Sequence, residues 1–294
     1  MKPQNIALKA FLLVIIVVFT SCKKEPNFFT VNQDIEFGQQ LKAEIEADPA
    51  TYPILDESQY PDAYEHLRRI RDAVLQSDEF KYTDRFEWEV TIIDDDEVLN
   101  AFAAPGGYMY FYTGLIKYLD EESYFAGVMA HEMAHADKRH STKTMTKVYG
   151  YSLLLNILLG KDPSKMQEII RDLALGLGSL KFSREHEYEA DEYAVRFLND
   201  TKYHARDIAG FFEQLTDDGK LGGRTPEFMS THPDPGNRIE AIDEVWKSLG
   251  SKVGEKEAYS GSWLEFQTSL PATKKSCSWY DSFYYLKKAG HTQE

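Results

Sequence analysis

The sequence predicts an α+β fold that is mostly helical, with a small β-sheet or hairpin set beside one central helix. Three observations predict it. Apolar residues recur at helical spacing over most of the 294-residue chain. One block, "FEWEVTIIDDDEVLNAFAAPGGYMYFYTG" (86–114), alternates or runs apolar and aromatic around a Pro-Gly-Gly turn. Shortly after it, "YFAGVMAHEMAHA" (124–136) reads as an apolar-flanked helix that carries two histidines and a glutamate.

Hydrophobic residues at 43% and aromatics at 13% supply a packed core. A net charge of −15 with no long Lys/Arg cluster argues against nucleic acid as a partner. At the N-terminus, Lys2 and Lys9 precede an apolar run from Ala10 to Phe19. That run is short for a bilayer span and sits where an export signal has its apolar segment, so residues 1–21 read as a leader. "FTSC" followed by "KKEP" resembles the lipobox of bacterial lipoproteins. It implies a lipidated Cys22, a tether over 22–32, and a protein held to a membrane through that lipid. Lys23 after the cysteine favours the outer membrane of a Gram-negative-type envelope, with the periplasmic or cell-surface facing left open. Cys277 is the other cysteine, and a Cys22–Cys277 disulfide is the alternative if Cys22 is not acylated.

The elements follow in order. Helical patterns over 34–47 and 60–77 flank a break at Pro49 and Pro53. Phe86, Trp88, Val90 and Ile92 share one side of an expected strand. Residues 98–114 read as a hairpin turning at Pro105-Gly106-Gly107, with Tyr108, Tyr110, Phe111 and Tyr112 as core and cross-strand packing. One helix is expected over 121–147. "YSLLLNILLG" (151–160) reads as a buried or surface-dipping helix rather than a span. Further helices are expected at 164–175, 183–198, 205–216 and 237–249. Residues 253–294, rich in Ser, Lys and aromatics, read as a C-terminal extension packed on the domain or partly loose.

The chemistry concentrates in "GVMAHEMAHADKRH" (127–140). Helical residues four apart differ by about 40° in direction, so His131 and His135 share a face at a spacing that suits two imidazoles on one tetrahedral ion. Glu132 lies beside that ion, placed to take a proton from a water. This is the His-Glu-x-x-His arrangement of zinc-dependent proteases. The pattern recurs by chance in roughly one chain in a hundred, and its place on a packed helix strengthens it. A structural zinc site closes four positions, usually with cysteines, and Cys277 alone cannot supply that. His140 follows the second histidine by five residues, and a continuing helix turns it roughly 180° from His131. It is therefore expected to support the ligands or the fold rather than bind metal. In "FSREHEYEADEYAVRFL" (182–198), Glu187 and Asp191 share one helical face, so one can bind metal while the other orients a ligand. Glu185, Glu189 and Glu192 compete for the same part, and spacing alone does not select among them.

Four blocks in order, "NAFAAPGGYMYFYTGLI" (100–116), "HEMAH" (131–135), "SREHEYEAD" (183–191) and "THPDPGNRI" (231–239), resemble the HtpX/BepA-type zinc metallopeptidases of peptidase family forty-eight. That family also includes the CAAX prenyl proteases and mitochondrial quality-control peptidases. The resemblance implies a zincin-like metallopeptidase domain over 33–252, closest to the BepA-like periplasmic branch, because nothing between the metal blocks is long enough to span a bilayer. It implies one Zn²⁺ per subunit held by His131, His135 and Glu187, with Glu132 as general base and Asp191 as helper to the ligands. Asn100, Ala101, Phe102 and Ala103 are implied to lie by the cleft, where a peptide can pair with a strand edge. His232 is implied near the site as a transition-state stabiliser, a gate on the zinc, or both, and Arg238 belongs to the same block. The expected activity is an envelope endopeptidase acting on unfolded or misassembled envelope proteins. The alternative is an envelope lipoprotein chaperone with a latent or self-inhibited metal site.

Overall fold

The computed structural model describes residues 25–175, 180–217, 227–233, 236–255 and 260–272. The expected leader over 1–21, Cys22 and Cys277 lie outside the described residues.

Helix α1 (Val31–Glu46) opens on a reciprocal cap: Thr30 Oγ1 accepts from Gln33 N at 3.2 Å, and Thr30 N donates to Gln33 Oε1 at 2.8 Å. Helix α2 (Pro61–Val74) begins on proline, which has no amide hydrogen to leave unpaired there. Three strands follow, β1 (Glu89–Ile93), β2 (Ala101–Ala104) and β3 (Tyr108–Tyr112), in the spatial order β1-β3-β2. β2 and β3 form the expected antiparallel hairpin, turned through Gly106 and Gly107, whose φ values of 83° and 89° favour glycine. β1 lies parallel to β3. It starts later than the alternation predicts. Phe86 belongs instead to a turn closed by its N–H to Tyr82 O at 3.1 Å, and Trp88 sits at φ 47°.

Short helix α3 (Thr113–Tyr118) leads to α4 (Glu122–Asp137), which is buried along almost its whole length. Then come α5 (His140–Leu158), α6 (Pro163–Leu175), α7 (Arg184–Asn199), α8 (Asp207–Asp217), α9 (Glu227–Thr231), α10 (Arg238–Ser248) and α11 (Ser260–Ser269). The sequence reads 121–147 as one helix, but the structure breaks it. Arg139 takes the left-handed φ of 60°, and its guanidinium is paired with Asp34 and donates to Phe29 O at 2.5 Å. That tertiary anchorage offsets the conformational cost of the break.

The sheet has helices on both faces. Val90, Ile92, Ala101, Ala103, Met109 and Phe111 join the core shared with α2, α4, α7 and α8, whereas Phe102, Ala104, Tyr108, Tyr110 and Tyr112 join the core shared with α1, α5 and α6. Double-sided burial explains why β2 and β3 read as continuous apolar runs. α11 docks part of the C-terminal extension on the first core through Trp263, whose indole donates to Leu119 O at 2.9 Å. Among the described residues, no helix is long and apolar enough to cross a membrane.

Two features hold α4 in place. A Cβ on Gly127 would fall 2.5 Å from Ile208 N, so only glycine lets α8 approach α4 this closely, one turn before His131. At the other end, the buried Glu122 carboxylate meets His66 Nε2 at 2.8 Å, Arg69 Nη2 at 2.7 Å and Tyr203 Oη at 2.7 Å, ties that reach α2 and the chain after α7. Burial raises its pKa, but these hydrogen bonds outweigh burial and pull it down to about 2. The folded value lies below the ordinary 4.5, so the stability it contributes is present above about pH 4.5 and lost as pH falls towards 2. Glu122→Gln is expected to cost on the order of 2 kcal/mol, below the full cost of breaking a buried pair because Arg69 is partly solvated. Chemical denaturation at pH 7 and pH 3 checks this: the deficit of the variant should shrink at the lower pH.

Candidate metal centre

α4 presents His131 and His135 from one face, both fully buried, because its own turn spacing stacks them and its apolar flanks seal it into the core. α7 crosses α4 and brings Glu187, also fully buried. The chain leaving α9 adds His232. One atom from each of the four lies within 4.8 Å of the others. His131 Nε2 and His135 Nε2 are 2.9 Å apart, and His232 Nδ1 is 3.3 Å from both His131 Nε2 and Glu187 Oε1. The Glu187 oxygens stand 3.6 Å from His131 Nε2 and from His135 Nε2. Donors at the corners of a tetrahedron with bonds of about 2.0–2.1 Å stand about 3.3 Å apart, which these separations bracket. The residues fit a zinc-sized ion.

Electrostatics agree with the geometry. Burial opposes charge on His131, yet hydrogen bonds to Asp191 and Glu187 raise its pKa to about 9. Burial likewise works against ionised Glu187, but His232 and Arg238 hold its carboxyl far below the usual range. A pocket that favours positive charge on a fully buried ring favours a cation there. His135 is held neutral by burial and by His131, which leaves it free to act as a ligand.

Each histidine of α4 has its own support. His131 Nδ1 lies 2.9 Å from Asp191 Oδ1, and Arg238 grips Asp191 with two bonds, Nε to Oδ2 at 2.7 Å and Nη2 to Oδ1 at 2.6 Å. His135 Nδ1 lies 2.9 Å from His140 Nδ1, whose Nε2 meets Glu189 Oε2 at 2.9 Å. One set of protons satisfies the second chain: His140 donates to Glu189, His135 donates to His140, and His135 Nε2 is left with its lone pair towards the site. The break at Arg139 brings this about, turning His140 back onto His135 rather than letting a continuous helix carry it away. Glu189, placed by sequence among the competing ligands, serves His140 instead. Its pKa falls to about 2, first through that hydrogen bond and against burial.

Glu132 is buried between β2 and His232. Burial raises its pKa. Its carboxylate meets His232 Nε2 at 3.3 Å and the backbone N–H of Ala103, and neither oxygen is fixed by a close hydrogen bond. The register explains the Ala103 contact. Tyr112 N donates to Asn100 O at 3.2 Å, so the alternating backbone groups of Asn100, Phe102 and Ala104 face β3 while those of Ala101 and Ala103 face the outer edge. The cleft segment named from sequence thus divides. Ala101 and Ala103 offer an edge beside Glu132, whereas the Asn100 side chain donates to Ala174 O at 2.6 Å and Phe102 stacks on Tyr110 at 4.6 Å. α9 borders that edge: Phe228 N donates to Leu99 O at 3.1 Å.

Sequence reasoning missed two rings. Phe182 stacks on His135 at 4.0 Å and Phe228 on His232 at 4.2 Å. Neither is marked by helical period, and only the tertiary fold brings them to the site.

Two imidazoles from one helix and a carboxylate from a second, with a glutamate beside them, make the donor set of a metal-dependent hydrolase. Residues 61–246 match the model for Peptidase family M48, and the chain belongs to that family of metallopeptidases. Over 157 residues it is 31% identical to the Beta-barrel assembly-enhancing protease of Escherichia coli, covering 50% of this chain and 32% of that protein. It is 32% identical over 155 residues to the Putative beta-barrel assembly-enhancing protease of Vibrio cholerae, covering 49% and 32%. It is 30% identical over 159 residues to the Mitochondrial metalloendopeptidase OMA1 of Arabidopsis thaliana, covering 54% and 31%. The chain spans about a third of the length of these relatives.

Glu189→Gln and Asp191→Asn each remove one support of a site histidine. Each is expected to weaken zinc retention by roughly 10–100-fold, read by competition with a chromophoric chelator.

Proposed function

We propose that the protein is a zinc-dependent endopeptidase in which His131, His135 and Glu187 hold the metal and Glu132 is the general base. The observation that carries this reading is the convergence of four buried donors beside a buried carboxylate whose pKa is raised. Bound zinc would act as a Lewis acid, polarising the scissile carbonyl and lowering the pKa of a coordinated water. Burial raises the proton affinity of Glu132 towards that of a group that both accepts and returns a proton. It takes the proton of the attacking water and delivers it to the leaving amine. An extended peptide would pair with the outward backbone groups of Ala101 and take over those of Ala103, whose N–H meets Glu132 and whose carbonyl accepts from Ser141 Oγ at 3.4 Å in its absence. The substrates we propose are unfolded or misassembled proteins of a bacterial envelope, where the lipid on Cys22 would hold the enzyme.

A second reading, that the site is latent and held shut by its own chain, is favoured by one observation. His232 Nδ1 stands where a fourth donor would, 3.3 Å from His131 Nε2, while its Nε2 faces Glu132. Turned outward, the same ring can instead donate to a developing oxyanion.

Glu132→Gln is expected to retain about one zinc per chain while casein cleavage falls by at least roughly 100-fold. Full cleavage by that variant contradicts the general-base role, and rescue of an envelope defect by it favours the chaperone reading. His232→Ala separates the two roles of that ring. Casein cleavage rises above wild type if the histidine chiefly shuts the site and falls if it chiefly stabilises the oxyanion.

A further inference from the structure

Seven large apolar side chains stand exposed among the described residues, and five of them belong to one place: Phe28, Val148, Tyr151, Leu155 and Leu159. Gly150, at φ 67° and ψ 170°, interrupts α5 and sets off its second half. There Tyr151, Leu155 and Leu159 recur every fourth residue and are 59%, 38% and 57% exposed, while Leu154 and Ile157 are buried against the body of the protein. This is one apolar face turned inward and a second turned outward. The proposed peptidase site makes no use of the second.

Charge marks the same segment. From Lys138 to Lys161 the chain carries five Lys/Arg and no Asp or Glu, although the whole protein has a net charge of −15. Lys138 and Arg139 are committed to Asp137 and Asp34, while Lys147 and Lys161 are exposed at either end of the apolar stretch, Lys147 within reach of Glu185 and Lys161 followed by Asp162. An outward apolar stripe flanked by lysines has the chemistry of a helix lying in the headgroup region of an anionic bilayer.

The N-terminal residues touch the same helix. Asn27 Nδ2 donates to Thr142 Oγ1 at 2.9 Å, Phe28 N donates to Thr146 Oγ1 at 3.1 Å, and the Phe28 ring meets Tyr151 edge-on at 5.6 Å. Further back, Glu25 meets His186 Nε2 of α7 at 2.5 Å, so the first described residues pack across the early part of α5 and the start of α7. Cys22 lies five residues before Asn27, a reach of at most roughly 18 Å.

We propose that the second half of α5, with Phe28, docks on an anionic phospholipid surface. The full chain tests it in a Cys22→Ser, Cys277→Ser background that makes no use of acylation. Leu155→Cys, and separately Leu264→Cys on α11 as the control, carries an environment-sensitive fluorophore. The protein is reconstituted from detergent into vesicles of phosphatidylcholine and phosphatidylglycerol. The expected result is blue-shifted emission at position 155, quenched by doxyl-labelled lipid, with position 264 as in water and weaker quenching in phosphatidylcholine alone. Emission at 155 no different from that at 264, or quenching equal in both vesicle types, overturns the proposal. A shift without vesicles also overturns it, giving the face to a second copy if it grows with protein concentration and to the chain's own C-terminal segment if it does not.

Discussion

The Arg238 guanidinium holds the site together. Asp191 and Glu187 stand one turn apart on a buried face of α7, where two carboxylates left alone would raise each other's pKa and one would take up a proton. Arg238 prevents this, gripping Asp191 twice and standing 2.9 Å from Glu187 Oε2. Its Nη1 also donates to His232 O at 3.4 Å, and its guanidinium lies 4.3 Å over the Phe212 ring. One side chain from α10 thus connects α7, α8 and the segment that carries His232. Breaking such a buried pair costs about 3–5 kcal/mol, and lysine, lacking the planar fork, cannot replace it.

From that anchor the rest of the geometry follows. Asp191, fixed by Arg238, fixes His131; Glu189, two residues earlier on α7, fixes His140 and through it His135. Both supports come from the helix that also carries Glu187, so the crossing of α7 over α4 sets the position and the ring orientation of both α4 histidines at once. Gly127 and Glu122 hold α4 to that crossing from its other contacts. A site built this way is rigid before any ligand arrives, which is what tight metal binding and an aligned base require.

Local pattern made the helices, the hairpin and the shared face of His131 and His135 legible in the sequence, because each depends on residues a few positions apart. What depends on distant partners was not legible. The left-handed Arg139 rests on Asp34, 105 residues earlier, and without it His140 cannot be placed on His135. The parallel pairing of β1 with β3 and the late start of β1 at Glu89, after the turn of Trp88, depend on packing from both faces of the sheet. Spacing alone left five carboxylates of α7 open, and family resemblance pointed to Glu187 and to His232. Three-dimensional contact separates them physically, setting Glu187 among the histidines, Asp191 on Arg238 and Glu189 on His140.

Family M48 membership gives the class of chemistry, and the donor set gives its place in this chain. X-ray absorption at the zinc edge of the purified, zinc-loaded protein measures that set directly. Two imidazole nitrogens and one carboxylate oxygen at about 2.0–2.2 Å are predicted, from His131, His135 and Glu187, with a third imidazole that disappears in His232→Ala only if that ring shuts the site. Sulfur in the coordination shell, or a shell unchanged by Glu187→Ala, would contradict the account.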